Sequence, residues 1–236
     1  MEVLNLRQAA EHVHMDANDL RHAAQRGEIA ADEHGGDWHF RHRDLDEWAQ
    51  RNFLAAGAKE QNRRHQVILD EHRRAKNSGW RVWELFRPDG VELALPSRTR
   101  SGAIRDMSDL AARTGCVYDA DGLFAELKER EEIASTAVGE GAAFLHPRFH
   151  DPYLFEQTFV AYGRSSHGVY FGAPTGEVTR HFFLICSTDH GLHLHILARL
   201  AVMVRTTDLL SAIDAAEDPD GVIAAIRTAE ERLVGS

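Results

Sequence analysis

Residues 128–148 read KEREEIASTAVGEGAAFLHPR, and the rest of the chain is organised around this stretch. A charged helix end with Lys128, Arg130 and Glu131 gives way to small residues and two glycines, Gly139 and Gly141. A short apolar run, Ala142 to Leu145, reads as a strand with His146 at its end. Glycine lets a backbone come close to a ligand, so Gly139 and Gly141 are expected beside a bound group. His146 is expected where the strand stops, a common place for a reactive side chain. A second histidine-rich stretch, DHGLHLHILARL, spans residues 189–200.

Outward from these stretches, strands alternate with helices. Val91 to Leu95 reads as a strand, and Ser101 to Arg113 and Asp119 to Arg130 as helices. Thr158 to Tyr162 and Phe182 to Cys186 are nearly continuous apolar runs, the pattern of strands covered on both faces. Asp189 to Arg205 and Pro219 to Leu233 read as helices, with Thr188 or Asp189 placed to cap the first. This alternation predicts a layered α/β domain over residues 80–236, long enough to bury a sizeable core.

The chain has 236 residues, a hydrophobic fraction of 43% and a charged fraction of 27%, the profile of an ordinary globular protein of one or two domains. No apolar run reaches the ~18 residues of a membrane span, and no signal peptide is visible, so a cytoplasmic protein with no membrane partner is expected. Cys116 and Cys186 lack metal-type spacing and suit buried thiols in a reducing compartment. The net charge of −10 argues against a chain that as a whole clings to nucleic acid.

There are 15 histidines, so context must select among them. Neutral imidazole is a good nucleophile near pH 7, with an ordinary pKa of about 6.5. That chemistry suits phosphoryl relay at His146, with Arg148 two residues on; the bland alternative is a surface histidine at a strand end. His193, Ile196, Leu197, Leu200 and Val204 follow helical spacing, which places His193 on an apolar stripe facing the sheet. His195 and Arg199 fall on the other side. Arg130 either clamps phosphoryl oxygens bidentately or is a solvated arginine paired with Glu126 or Glu131. Ser135 and Thr136 either donate hydroxyl hydrogen bonds to a phosphate or cap backbone. His190, His193 and His195 cluster in sequence, yet their spacing matches no strong zinc signature. Neither a metal nor a cofactor is expected.

Together the two stretches resemble the enzyme IIA domain of the mannitol/fructose class of the bacterial sugar phosphotransferase system, which includes the nitrogen-regulatory branch. The resemblance covers roughly residues 85–233. Leu145 stands where the family usually has proline, and Pro147 where glycine is common. It implies a mixed β-sheet flanked by helices. It also implies that His146 accepts a phosphoryl group from a histidine-containing phosphocarrier protein (HPr-like), with His193 and Arg130 steadying it. Such a protein is a phosphotransferase component with a phosphohistidine intermediate, rather than a turnover enzyme. No transport domain is visible, which favours a signalling output.

Residues 1–53 form a separate unit. Leu6, Ala9, Ala10 and Val13 recur at helical spacing, a second helix runs from about Ala17 to Arg26, and Ile29 to Phe40 reads as a hairpin with Gly35-Gly36 at its tip. A third helix begins at Asp44. This order resembles the winged helix-turn-helix of the excisionase and MerR-like group. By that resemblance the second helix, with Arg21, His22, Gln25 and Arg26, would enter a DNA major groove, and such readers usually act as homodimers. The unit nevertheless holds six basic against eleven acidic residues, a balance that repels phosphates, so docking to a protein is the other reading. Residues 54–79 carry six basic against three acidic residues and read as a basic helical linker. The alternative is that its arginines grip phosphates.

Overall fold

A computed structural model describes residues 3–13, 15–45, 48–49, 81–148, 154–173 and 175–234. The chain divides into two compact units, residues 1–80 and 81–236. The basic segment at 54–79 lies outside the described residues, as do Asp46 and Glu47 of the third helix.

In the first unit, strand β1 (Val3–Asn5) leads into helix α1 (Leu6–His12), then α2 (Ala17–Gln25) and the hairpin of β2 (Ala31–His34) and β3 (Asp37–Arg41). Backbone is helical again at 42–45 and 48–49. Asn5 and Gln8 cap α1 reciprocally, each side chain accepting the other's backbone N–H at 3.0 Å, and Asp16 caps α2 by accepting from Asn18 N at 2.8 Å. The strands form an antiparallel sheet in the order β1-β3-β2. Ala9, Val13, Leu20, Ile29, Phe40, Leu45 and Trp48 make a small buried core.

The second unit is built on a mixed five-stranded sheet in the order β4-β7-β8-β6-β5. These are β4 (Phe86–Leu95), β5 (Ala137–Gly139), β6 (Ala142–Leu145), β7 (Phe159–Val169) and β8 (Thr179–Cys186). β6 runs parallel to β8 and β4 parallel to β7, whereas β7–β8 and β5–β6 are antiparallel. Successive side chains of a strand point to opposite faces, and both faces here are covered. On one, Ala143, Leu145, Phe182 and Leu184 join a core with α3 (Arg100–Arg113) and α4 (Ala120–Ile133). On the other, Phe144 meets Phe183 edge-on at 5.7 Å and Tyr162 meets Phe183 at 5.0 Å. Burying a phenylalanine contributes about 1.5–3 kcal/mol, so β8, with every residue buried except Arg180, anchors the sheet.

Three further helices complete the unit: α5 (His190–Thr206), α6 (Leu209–Asp214) and α7 (Pro219–Val234). Side-chain caps from Thr99, Asp119 and Asp189 begin α3, α4 and α5, each worth about 1 kcal/mol. Helix α5 corrects the one-sided reading of its sequence. His195 and Arg199 are as deeply buried as His193, because a layer containing α7 and a 3-10 turn at Val82–Leu85 packs on its outer side. There the Glu230 carboxylate, 0% exposed, faces Arg199 Nε at 3.4 Å and accepts the backbone N–H groups of Val82 and Trp83 at 3.0 Å each.

Candidate functional site

Helix α4 buries Leu123, Leu127, Arg130 and Glu131, one stripe at helical spacing. Arg130 is therefore drawn inward at the last turn and is only 4% exposed, not the solvated helix-end arginine of the bland reading. Its Nη1 donates to Ala134 O at 2.9 Å, satisfying a carbonyl at the end of its own helix. Its Nε donates to His146 Nε2 at 3.1 Å.

His146 follows β6 directly and is fully buried, which rules out the surface histidine considered from sequence. Its Nδ1 lies 2.8 Å from Phe144 O. A carbonyl oxygen only accepts, so Nδ1 carries the proton and Nε2 holds the lone pair that receives Arg130. The His193 ring packs against His146 with centroids 5.0 Å apart and an interplanar angle of 62°. His193 is in the first turn of α5, whose N-terminus is held by Asp189 accepting from Leu192 N at 2.7 Å. Three side chains widely separated in sequence thus converge at one end of the sheet, with a cation beside a nucleophilic nitrogen.

The other sequence candidates are placed differently. Arg148 donates through Nη1 to Glu129 Oε1 at 2.7 Å, across to α4. The Ser135 hydroxyl donates to Phe171 O at 2.9 Å and accepts from Ala137 N at 3.2 Å. The Thr136 hydroxyl donates to Glu131 Oε2 at 2.6 Å. Both hydroxyl groups are thus engaged within the protein, Ser135 with backbone and Thr136 with a carboxylate. Gly139 and Gly141 are not beside the histidine. With Glu140 they form the turn between β5 and β6, at φ of 88°, 54° and 73°, at the opposite end of β6 from His146. The glycines serve a left-handed turn, and the expected approach to a ligand is overturned there.

Sequence reading passed over Glu131, which receives the Thr136 N–H at 3.1 and 3.0 Å, the Thr136 hydroxyl and Arg100 Nη2 at 2.7 Å. Its place four residues after Leu127 was the available signal, since residues at i and i+4 share one face of a helix. Among the described residues no group of three or more His, Cys, Asp or Glu is placed to hold a metal ion; the His190 side chain lies outside them. No helix among them is long and apolar enough to cross a membrane. Cys116 and Cys186 are free and buried, and burial pushes the Cys186 thiol well above its ordinary value.

In the first unit, His22, Gln25 and Arg26 are exposed on or just after α2, and Arg21 is half-buried. Arg21 Nη2 donates to Asn18 Oδ1 at 2.7 Å. Arg26 is bidentate to Glu28, whose carboxyl that hydrogen bond holds below the usual range. A DNA phosphate would have to compete with Glu28 for Arg26.

A family model for the "Phosphoenolpyruvate-dependent sugar phosphotransferase system, EIIA 2" matches residues 84–229, and a "Helix-turn-helix domain" model matches residues 3–52. The fructose-specific EIIA component of the phosphotransferase system of Haloferax volcanii is 31% identical over 134 residues, which cover 56% of this chain and 85% of that protein. The fructose-specific EIIABC component of Bacillus subtilis is 25% identical over 145 residues, or 61% of this chain. The chain spans 22% of the length of that protein and 16% of a multiphosphoryl transfer protein from Xanthomonas campestris. The structure of nitrogen regulatory protein IIA-Ntr from Neisseria meningitidis superposes with a TM-score of 0.56 at 22% identity, covering 61% of this chain and 98% of that one, a likeness of fold. The chain belongs to the phosphotransferase system EIIA type 2 family and carries a helix-turn-helix domain ahead of that region.

Proposed function

We propose that this protein is a regulatory phosphocarrier in which His146 accepts a phosphoryl group from a histidine-containing phosphocarrier protein. The observation that carries this is the disposition of the two ring nitrogens: Nδ1–H donates to Phe144 O at 2.8 Å, and Nε2 faces Arg130 Nε at 3.1 Å. The Nε2 lone pair attacks the phosphorus of the donor's phosphohistidine as the donor's N–P bond breaks and its ring recovers the electron pair. The proton on Nδ1 stays in place, and the Phe144 carbonyl stabilises the positive charge that spreads over the ring. Arg130 moves from Nε2 to the phosphoryl oxygens, where a guanidinium beside developing charge is most effective. His193 packs on the acceptor ring and limits its rotation, so the nucleophile is held in an attacking geometry. Arg148, released from Glu129, would add a second cation.

The phosphorylation state is then read through the helix-turn-helix unit, with Arg21, His22, Gln25 and Arg26 as the DNA-contacting set and a homodimer as the binding form. The protein works in the cytoplasm, where its donor is found. A second reading draws on the full burial of His146: a DNA- or protein-docking regulator whose EIIA-like unit no longer transfers phosphate.

Intact mass after incubation with phosphoenolpyruvate, enzyme I and the phosphocarrier protein separates the two. An acid-labile gain of one phosphoryl group in wild type, lost in His146→Ala, is the expected result. No gain in wild type with either the sugar or the nitrogen branch of donors would overturn the phosphocarrier reading and leave the docking regulator.

A further inference from the structure

We propose that Glu131 is a positioning residue for His146, a role that rests on the phosphoacceptor reading above. Arg130 and Glu131 are consecutive at the end of α4, and both reach His146 by different routes. The direct route is Arg130 Nε to His146 Nε2 at 3.1 Å. The other starts at the Glu131 carboxylate, which takes the Thr136 N–H and hydroxyl. The Thr136 carbonyl accepts from Phe144 N at 3.0 Å, and the Phe144 carbonyl accepts from His146 Nδ1 at 2.8 Å. The two routes close a ring of hydrogen bonds through the Arg130–Glu131 peptide. Arg130, Glu131, Thr136, Phe144 and His146 are all buried.

Closure has a physical consequence. Both nitrogens of the acceptor ring are referenced to two neighbouring residues on one helix, Nε2 directly and Nδ1 through Thr136 in the loop after α4, so the distance between nucleophile and guanidinium is tied to the end of α4. Strand β5 is too weak to do this alone. It has three residues, lies at the sheet edge, and its pairing with β6 shifts register between Ala137 and Gly139. Glu131 holds Thr136, the residue just before β5, and Thr136 O in turn accepts from Phe144 N. A buried carboxylate is costly unless well paired, and Glu131 is paired: Arg100 Nη2 bonds its Oε1 and its carbonyl at 2.7 Å each. Arg100 is itself 42% exposed and stacks 5.6 Å over the Phe171 ring, so the ring has one contact open to solvent. Thr136 is thereby a relay between carboxylate and strand, which is why its hydroxyl is turned away from the acceptor.

The test uses the full-length chain with Glu131→Gln, Glu131→Ala and Thr136→Val, read three ways: kcat and KM for transfer from the phosphocarrier protein, imidazole nitrogen NMR of His146, and thermal unfolding. Misplacement of a reacting group by about 1 Å costs about a hundredfold in rate. Glu131→Ala is expected to lower kcat by about that factor, and Glu131→Gln by roughly a tenth as much. KM for the donor should stay unmoved, and the His146 Nδ1–H signal should shift or exchange faster. Should Glu131→Ala fail to fold, Glu131→Gln and Thr136→Val carry the comparison. A drop in melting temperature with kcat and the Nδ1–H signal both unchanged would overturn the proposal and leave Glu131 a structural carboxylate. If wild type accepts no phosphoryl group, the phosphocarrier reading fails separately. The NMR arm still decides, an altered Nδ1–H signal in Glu131→Gln supporting the positioning role and an unaltered one overturning it.

Discussion

His146 and His181 lie on the same face of the same sheet, at opposite ends of the paired strands β6 and β8. Their levels are four residues apart, about 13 Å along the strands. Each is buried, and each has Nδ1 hydrogen-bonded at 2.8 Å, His146 to Phe144 O and His181 to the Tyr162 hydroxyl. The difference is in what faces Nε2. At His146 it is a guanidinium at 3.1 Å; at His181 it is the Asp214 carboxylate at 3.8 Å. A cation there leaves the lone pair available and prepares the site for an incoming anion. A carboxylate there favours a proton and repels phosphate. Burial and an anchored ring are common to both, so neither distinguishes the proposed acceptor. The sign of the neighbour does.

The strongest way to break this comparison is to give His146 the neighbour that His181 has. In Arg130→Glu, phosphoryl transfer should fall about a thousandfold, or about 4 kcal/mol of barrier, with the fold checked by circular dichroism. Transfer at the wild-type rate would show that the cation is dispensable. A buried charge with no part in the chemistry sharpens the contrast. Glu230→Ala leaves Arg199 without its carboxylate and should cost roughly 3 kcal/mol of stability, measured by denaturant unfolding, while the transfer rate per folded molecule is kept.

The smallest effect belongs to His181 itself. Burial pushes its imidazole below the ordinary value; Asp214 opposes this, and Arg164 and Arg180 add to it. The unfolded chain then binds this proton more readily than the folded one, so acid favours unfolding. The contribution is complete above about pH 6.5 and is lost as pH falls from there towards the lowered value. Thermal unfolding between neutral and mildly acidic pH should show a shallower decline for His181→Gln than for wild type, with phosphoryl transfer unaltered. An identical slope would mean that His181 is not among the groups that couple stability to pH.

What was legible in the sequence follows from local pattern. The apolar run 142–145, the cap at Asp189 and the pairing of a histidine at a strand end with one in a downstream helix all lie within short windows. The strand read at Thr158 to Tyr162 extends to Val169, across RSSHGV, a segment with no apolar rhythm. It is strand because β7 has neighbours on both sides, and the backbone ladder fixes it. Similarly, β4 begins at Phe86 rather than Val91, across a register shift that no period-2 reading would bridge. The helical stripe through His193 was seen, but a stripe assumes one wet side, and α5 has none. At the site, Arg130, His146 and His193 were legible as a motif. Thr136 was singled out only for a phosphate or a backbone cap and Glu131 only as a partner of Arg130; the bond between them was not legible, because it belongs to a closed circuit of backbone and side chains that appears only when β5 and β6 are laid side by side.

The Glu230 carboxylate bears on where the second unit can be cut. It takes both of its backbone donors from Val82 and Trp83, whereas the family match begins at residue 84. A fragment trimmed to that boundary would strip two donors from an enclosed anion and cut the 3-10 turn at Val82–Leu85, while leaving α3 to α7 and every strand of the sheet whole. The working edge of the unit is therefore set by an accounting of hydrogen-bond donors, and a soluble, functional fragment should start ahead of Val82.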